Sequence, residues 1–578
     1  MGNARKNDNV TVEVRNGHER EDVKTETNPN ILNREEMTKR EFHSLWAGIL
    51  IQAFTFSFEI CLIQGIMGYV TAYFTFASFG SVLQTISTIL AVASVPFYTK
   101  VSDVFGRAGS LTFAIVSYLL GLTVEGTAQT FLQFSIGQIL YGVGYTGIQA
   151  LTQVLIADTS RLIDRGVMFA LWDLGSAINI WVAQALIDPL TVPKEGQRPD
   201  KWRLGYLIMG VVSIVGAISL LAPVWYVQIN TARRKVVKQQ RKTIRWLLHE
   251  FDAVGCLLIT LGLSLTLLPL ILAKSYEGNW RNSKILGIFI TGIVFFVLLA
   301  IWEFKYTDKP IMSMKIWKNR TAFGGLMIVF LLKIMGNINW QYMTLYLVVS
   351  RNITYGQSFI LVRGFQLAWL VFQLVAGLLM RRFNTYRPFA WVGILLYIIG
   401  LGLMIPSRLP TASDAFIIVA QAISGGGGGM AQIAASVIVT GVVHRNDVAT
   451  VVGASQILVS FGSAVGNALA GGIWTQVLPM RLGARITGEY DEHLAMNDPL
   501  KYIQKLEPGM KAQLIEAYSD TQKTMTIIAC GVAVFALVFV AMFQHVDLRQ
   551  DQAAQDRIAN GEDVSGQVSK QKEKEELH

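Results

Sequence analysis

The sequence predicts an all-α integral membrane protein whose fourteen transmembrane helices form two related lobes. Three observations carry that prediction. Of the 578 residues, 52% are hydrophobic and 16% charged, whereas soluble domains carry about a quarter charged residues. The charges are confined to short stretches between apolar runs of about 20 residues, the length that crosses a hydrocarbon core. Finally, a pattern of Gln and Gly in the first half of the chain returns in the second.

Residues 1–43 are rich in Asn, Glu, Lys and Arg and read as a disordered cytoplasmic tail. No cleavable signal peptide precedes the first apolar run, which serves as its own insertion signal. Six spans near 45–68, 80–99, 109–126, 130–153, 167–189 and 204–228 make an N-terminal lobe over residues 44–230. A basic cytoplasmic loop and two inserted helices, near 253–273 and 285–304, occupy residues 231–320. The C-terminal lobe, 321–546, holds spans near 321–349, 359–380, 388–406, 413–442, 449–475 and 523–544, with a long extracellular loop at 476–522. Residues 547–578 form a second cytoplasmic tail.

Loops after even-numbered spans carry roughly twice the Lys and Arg of the short loops on the other face, so both termini are expected in the cytoplasm. A multi-pass protein of the plasma membrane follows, with an endosomal membrane as the alternative. The formal charge of +10 sits beside the apolar runs and is spent on orientation, not on nucleic acid. Cys61, Cys256 and Cys530 all fall inside apolar runs, which argues against a disulfide framework or a metal site. No nucleophile–base set occurs at a plausible depth, so neither enzymatic activity nor a cofactor is expected.

The repeat gives the architecture. Gln138, Gly142, Gly144 and Gln149 recur at the same offsets as Gln421, Gly425, Gly427 and Gln432, and Gly175-Ser176-Ala177 recurs as Gly462-Ser463-Ala464. The Gly425–Gly429 run lacks the Lys-Ser/Thr of a phosphate loop and is read as helix packing. After span 2 comes Lys100-Val101-Ser102-Asp103-Val104-Phe105-Gly106-Arg107, and after the tenth span Gly377 to Asn384, with Arg381 at the Asp position and Arg382 beside it. The first of these resembles the loop signature of the major facilitator transporters, built from two parallel six-helix halves with substrate bound between them near the midplane. The resemblance implies the major facilitator fold, here with two inserted helices. It also implies a gating role for Asp103, Gly106, Arg107, Arg381 and Arg382.

A narrower resemblance covers most of the membrane region. Gly137 through Gly147, Ile156-Ala157-Asp158-Thr159, Arg165, Glu250-Phe251-Asp252, Asn319-Arg320-Thr321 and Gly466 through Thr475 are similar to the fungal siderophore–iron transporters. That family implies proton-coupled import of ferric siderophores, hydroxamates such as ferrichrome among them, by alternating access. Its partners would be the chelate, protons and the lipid bilayer, with the protein a monomer. Two departures stand out: Gln138 occupies a place where many facilitators carry Arg, and span 5 lacks the Gly-Pro pair of drug–proton antiporters.

Ionisable residues inside spans are the sharpest local clues, because an unpaired charge there costs about 2.5–3.5 kcal/mol even on insertion scales. Glu59 in span 1 and Asp173 in span 5 are the proton-coupling candidates. Lys333 in span 9 and Arg363 in span 10 join Trp172, Asn339, Trp340 and Tyr73 as candidates for substrate binding. An alternative stays open, in which Glu59–Lys333 or Asp173–Arg363 are purely structural ion pairs. Haem import, which needs the same wide, aromatic cavity, and proton-driven export of drugs or glutathione are the rival functions.

Overall fold

The computed structural model describes residues 37–74, 80–191, 201–234, 252–273, 279–307, 317–443, 448–497, 499, 502–503 and 506–544. The two tails and most of the basic loop lie outside the described residues. Fourteen helical segments are long and apolar enough to cross a membrane. Spans 1 to 6 are Lys39–Thr71, Val82–Thr99, Arg107–Thr127, Phe131–Thr159, Leu162–Thr191 and Trp202–Thr231. Spans 7 and 8 are Val254–Leu272 and Ser283–Lys305. Spans 9 to 14 are Arg320–Arg351, Tyr355–Phe383, Arg387–Ser407, Asp414–Gly441, Thr450–Arg485 and Pro508–Ala541. There is no strand among the described residues. Helices satisfy every backbone polar group within their own segment, which hydrocarbon surroundings demand.

Glycines set the closest approaches. A Cβ on Gly144 would lie 2.3 Å from the Tyr118 backbone nitrogen, and one on Gly121 would lie 2.2 Å from that of Tyr141, so spans 3 and 4 touch backbone to backbone. The second lobe repeats the device: a Cβ on Gly427 would meet the Tyr397 nitrogen at 2.3 Å, joining spans 11 and 12. Gly425 and Gly429 bring span 12 equally close to the carbonyls of Phe365 and Trp369 in span 10. The glycine run is a packing surface, as its position inside an apolar span suggested.

Spans 5 and 9 are each broken into two helices, Leu162–Asp173 with Gly175–Thr191, and Arg320–Trp340 with Met343–Arg351. Both breaks fall beside candidate residues, Asp173 and Trp340. Span 7 seats Ile259, Leu263, Leu267 and Ile271 against Val92 and Val95 of span 2 and Ala464 and Ala468 of span 13. The inserted pair therefore leans on both lobes. Trp302 of span 8 donates to the Asp252 carboxylate at 2.7 Å, and that carboxylate also caps span 7. Beyond this contact span 8 presents Ile290, Val294, Val297 and Ile301 outward, a surface suited to lipid.

One boundary differs from the expectation. The stretch 476–522 is not a single loop: span 13 stays helical to Arg485, the last helix begins at Pro508, and a short helix, Glu492–Asn497, lies between. Hydropathy ends a span where charges begin, but here the charges are paired. Arg485 bonds Glu516 and Asp520, while Leu482, Leu514 and Tyr518 stay buried beneath them. Ion pairing lets both helices continue past the apolar window.

Candidate functional site: an inter-lobe cavity

A cavity of about 610 Å³ lies between the lobes, walled by spans 1, 2, 4 and 5 on one side and spans 9, 10, 12 and 13 on the other. Its charged lining residues are Asp173, Lys333 and Arg363. Asp173, at the break in span 5, accepts a hydrogen bond at 3.0 Å from Gln373 of span 10 and lies within electrostatic range of Lys333. Arg363 donates to Gln64 of span 1 at 3.0 Å, bonds Gln366, and stacks over the Phe359 ring at 3.6 Å. The Gln373–Asp173 and Arg363–Gln64 contacts cross from lobe to lobe. Of the four ionisable candidates read from the sequence, three, Asp173, Lys333 and Arg363, thus line one cavity.

Nine glutamines complete the lining, among them Gln64, Gln84, Gln149, Gln153, Gln432 and Gln456. Gln149 and Gln432 are the repeat-related pair, now on opposite walls. Gln456 donates to Gln153 across the gap at 2.5 Å. The apolar part is aromatic: Trp172 and Tyr145 flank Phe56, and Trp340 packs on Phe365 with Trp369 behind it. Such a surface offers amide donors and acceptors and flat apolar faces, with a formal excess of one positive charge.

Three candidates do not line this cavity. Glu59 points into the N-terminal lobe, where it is fully buried and accepts the Tyr118 hydroxyl, itself 3.2 Å from Ser213. Helix 1 does line the cavity, through Ser57, Ile60 and Gln64, but position 59 falls on its other face. Asn339 is buried in the C-terminal lobe, accepting from Arg408 at 3.1 Å and Thr526 at 2.9 Å. Tyr73 sits at the end of span 1 against Trp202, under the Arg203 guanidinium. Neither of the ion pairs left open from the sequence forms; Asp173 faces Lys333 instead. Arg408 and Glu125, both fully buried, were missed. Glu125 falls in the last turn of span 3, where hydropathy alone reads it as a span end.

The chain matches the family model described as Major Facilitator Superfamily over residues 45–467. The chain belongs to the Major Facilitator Superfamily. Among curated relatives, the siderophore transporter fer7 of Mycosarcoma maydis is 28% identical over 515 residues, covering 84% of this chain and 77% of that one. The siderophore iron transporter mirC of Emericella nidulans is 25% identical over 505 residues, covering 85% and 82%. Among solved structures, the proton:xylose symporter XylE bound to 6-bromo-6-deoxy-D-glucose aligns with a TM-score of 0.52 at 13% identity, over 89% of this chain and 98% of that one. The last match supports the fold alone.

In this facilitator the signature turn is built from more than its own residues. Gly106 has φ 89°, a left-handed conformation, and a Cβ there would strike the Gln228 amide of span 6 at 2.1 Å. Gln228 accepts from the Ala108 nitrogen at 2.8 Å and so caps span 3. Arg107 is buried and pairs with Asp158 of span 4 at 3.2 Å. Asp103 lies in the last helical turn before Gly106, and its side chain is outside the described residues.

The lobes meet at both ends of the cavity. At the Gly106 end, Arg381 of span 10 pairs with Asp164 of span 5 at 3.2 Å, Arg165 donates to the Thr440 carbonyl at 3.2 Å, and Gly166 abuts Gly377. Arg382 is exposed beside them. At the opposite end the Asp188 carboxylate of span 5 accepts the Gly356 N–H at 3.1 Å and the Thr354 hydroxyl at 3.4 Å. Asp188 thereby caps span 10 from the other lobe.

Proposed function

We propose that this facilitator imports ferric siderophores, coupled to protons, by rocking of its lobes around the central cavity. The observation that carries the reading is the cavity wall: nine glutamines, stacked aromatics and the Asp173–Lys333–Arg363 set. A ferric chelate is bulky, oxygen-rich and neutral or anionic, and amide donors with a small positive excess suit it. The names of the curated relatives support the same cargo, and hydroxamates such as ferrichrome are the expected class. Trp172 and Trp340 would hold the apolar parts of the ligand, Lys333 and Arg363 its oxygens. Asp173 couples protonation to closure, since it sits between Lys333 and Gln373 of the opposite lobe. Glu59 acts behind the wall, as a proton-holding group without substrate contact.

In this reading the protein works as a monomer in the plasma membrane, both termini cytoplasmic, with the Gly106 end inside. Arg107, Arg381 and Arg382, with Asp103 and Gly106, then belong to the inner gate. The test is uptake of radio-iron ferrichrome by cells lacking other iron-chelate transporters, at two external pH values. Saturable accumulation that collapses with the proton gradient is expected, and Asp173→Asn should abolish it while leaving ligand exchange. Absence of uptake, with the protein at the cell surface, would overturn the reading in favour of haem import or export.

A further inference from the structure

Glu125 is a second carboxylate completely withdrawn from solvent in the N-terminal lobe, and neither of its oxygens has a hydrogen-bond partner. It stands on the last turn of span 3, where a Cβ on Gly137 of span 4 would lie 2.7 Å from its Cγ. Glu59 from span 1, Tyr141 from span 4 and Tyr206 from span 6 surround it within electrostatic range. Arg203, at the same end of span 6, is turned elsewhere: it donates to the Ala128 carbonyl at 2.7 Å and lies over the Trp202 ring at 4.8 Å.

The second lobe packs the corresponding pair of spans at mid-span without an acid. The same glycine-mediated contact joins spans 11 and 12 around Tyr397, the counterpart of Tyr118, whose hydroxyl has no hydrogen-bond partner. The second lobe therefore builds the contact without a carboxylate, and the first lobe adds two. Two carboxyl groups within electrostatic range of each other, away from water, do not both carry charge cheaply.

The placement also has a direction. Glu125 lies seven residues beyond Tyr118, about 10 Å along the helix toward the Thr354 end, while Tyr118 binds Glu59 at mid-span. Tyr145, in turn, lines the cavity and lies within electrostatic range of both Glu59 and Asp173. A series of titratable groups thus runs from one end of the lobe to the cavity wall.

We propose that Glu125 and Glu59 form a proton-binding pair inside the N-terminal lobe, with Glu125 the entry from the Thr354 end and Tyr145 the link to Asp173. Protons then reach the cavity by a path separate from that of the cargo. The assignment rests on the proton-coupled reading above. The test uses the full chain in proteoliposomes, with radio-iron ferrichrome, and reads gradient-driven accumulation and ligand exchange side by side.

Glu125→Gln is expected to lose gradient-driven accumulation while exchange stays within about twofold of wild type. Accumulation at the wild-type level in Glu125→Gln overturns the assignment and leaves proton coupling standing. No gradient-driven accumulation in wild type overturns the coupled reading and the pair together. If Glu125→Gln loses exchange as well, Glu125→Asp decides: accumulation with a displaced pH profile supports the pair, whereas an unchanged profile or no transport overturns it.

Discussion

Asp188→Ala should loosen the Thr354 end of the transporter by a predictable amount. The carboxylate accepts two hydrogen bonds from the opposite lobe, at 3.1 and 3.4 Å, and sits at the N-terminus of span 10. A hydrogen bond to a charged group contributes about 1.5–3 kcal/mol when buried, and a charge at a helix N-terminus about 0.3–1 kcal/mol. Asp188 is partly exposed and the second bond is long, so about 1–2 kcal/mol of net bias toward closure is the reasonable sum. That corresponds to about a 5–30-fold shift in the equilibrium. The assay is the labelling rate of Thr71→Cys, a cavity residue near that end, by a membrane-impermeant thiol reagent, with Cys61, Cys256 and Cys530 replaced by Ser. Asp188→Ala should raise the rate by about the same 5–30-fold. Gly356→Ala should act alike, because its Cβ would sit 2.6 Å from the Asp188 carboxyl carbon and force the contact open. Wild-type labelling in Asp188→Ala would refute the latch, and faster labelling in Gly356→Ala alone would reduce it to a steric contact.

Arg107→Ala removes the Arg107–Asp158 pair and should lower the melting temperature of the purified protein; the Arg107→Ala/Asp158→Ala pair should cost less than the sum of the single changes. Arg363→Gln should weaken uptake of anionic chelates by about tenfold, the effect of about 1.4 kcal/mol, and neutral chelates less, as measured by competition. Gly144→Val and Gly427→Val should each prevent accumulation of folded protein, since both glycines face a backbone nitrogen, whereas Gly402→Ala, with open space around it, should be neutral on an immunoblot.

Sequence alone was sufficient for the fold class. Apolar length and charge segregation decide which segments enter a bilayer, and those quantities are local, so all fourteen spans could be placed. The Gln and Gly offsets also exposed the two-lobed repeat, because equal packing demands equal residues. Asp173, Lys333, Trp172, Trp340 and Arg363 were legible as cavity candidates because burying a charge or a large aromatic in a span needs a reason.

Facing was not legible. Glu59 and Ser57 lie two residues apart, yet one enters the lobe and the other the cavity, and only the rotation of span 1 against spans 3 and 6 decides which. Asn339 and Trp340 are adjacent and face opposite ways for the same reason. Arg107 needed Asp158, Arg381 needed Asp164, and Asp188 needed Gly356, partners 51, 217 and 168 residues away. Such pairs cost nothing to leave unspecified in a local pattern and acquire their energy only when two helices are brought within about 3 Å. The helix extensions to Arg485 and from Pro508 likewise depend on ion pairs between helices, which hydropathy of either segment cannot register.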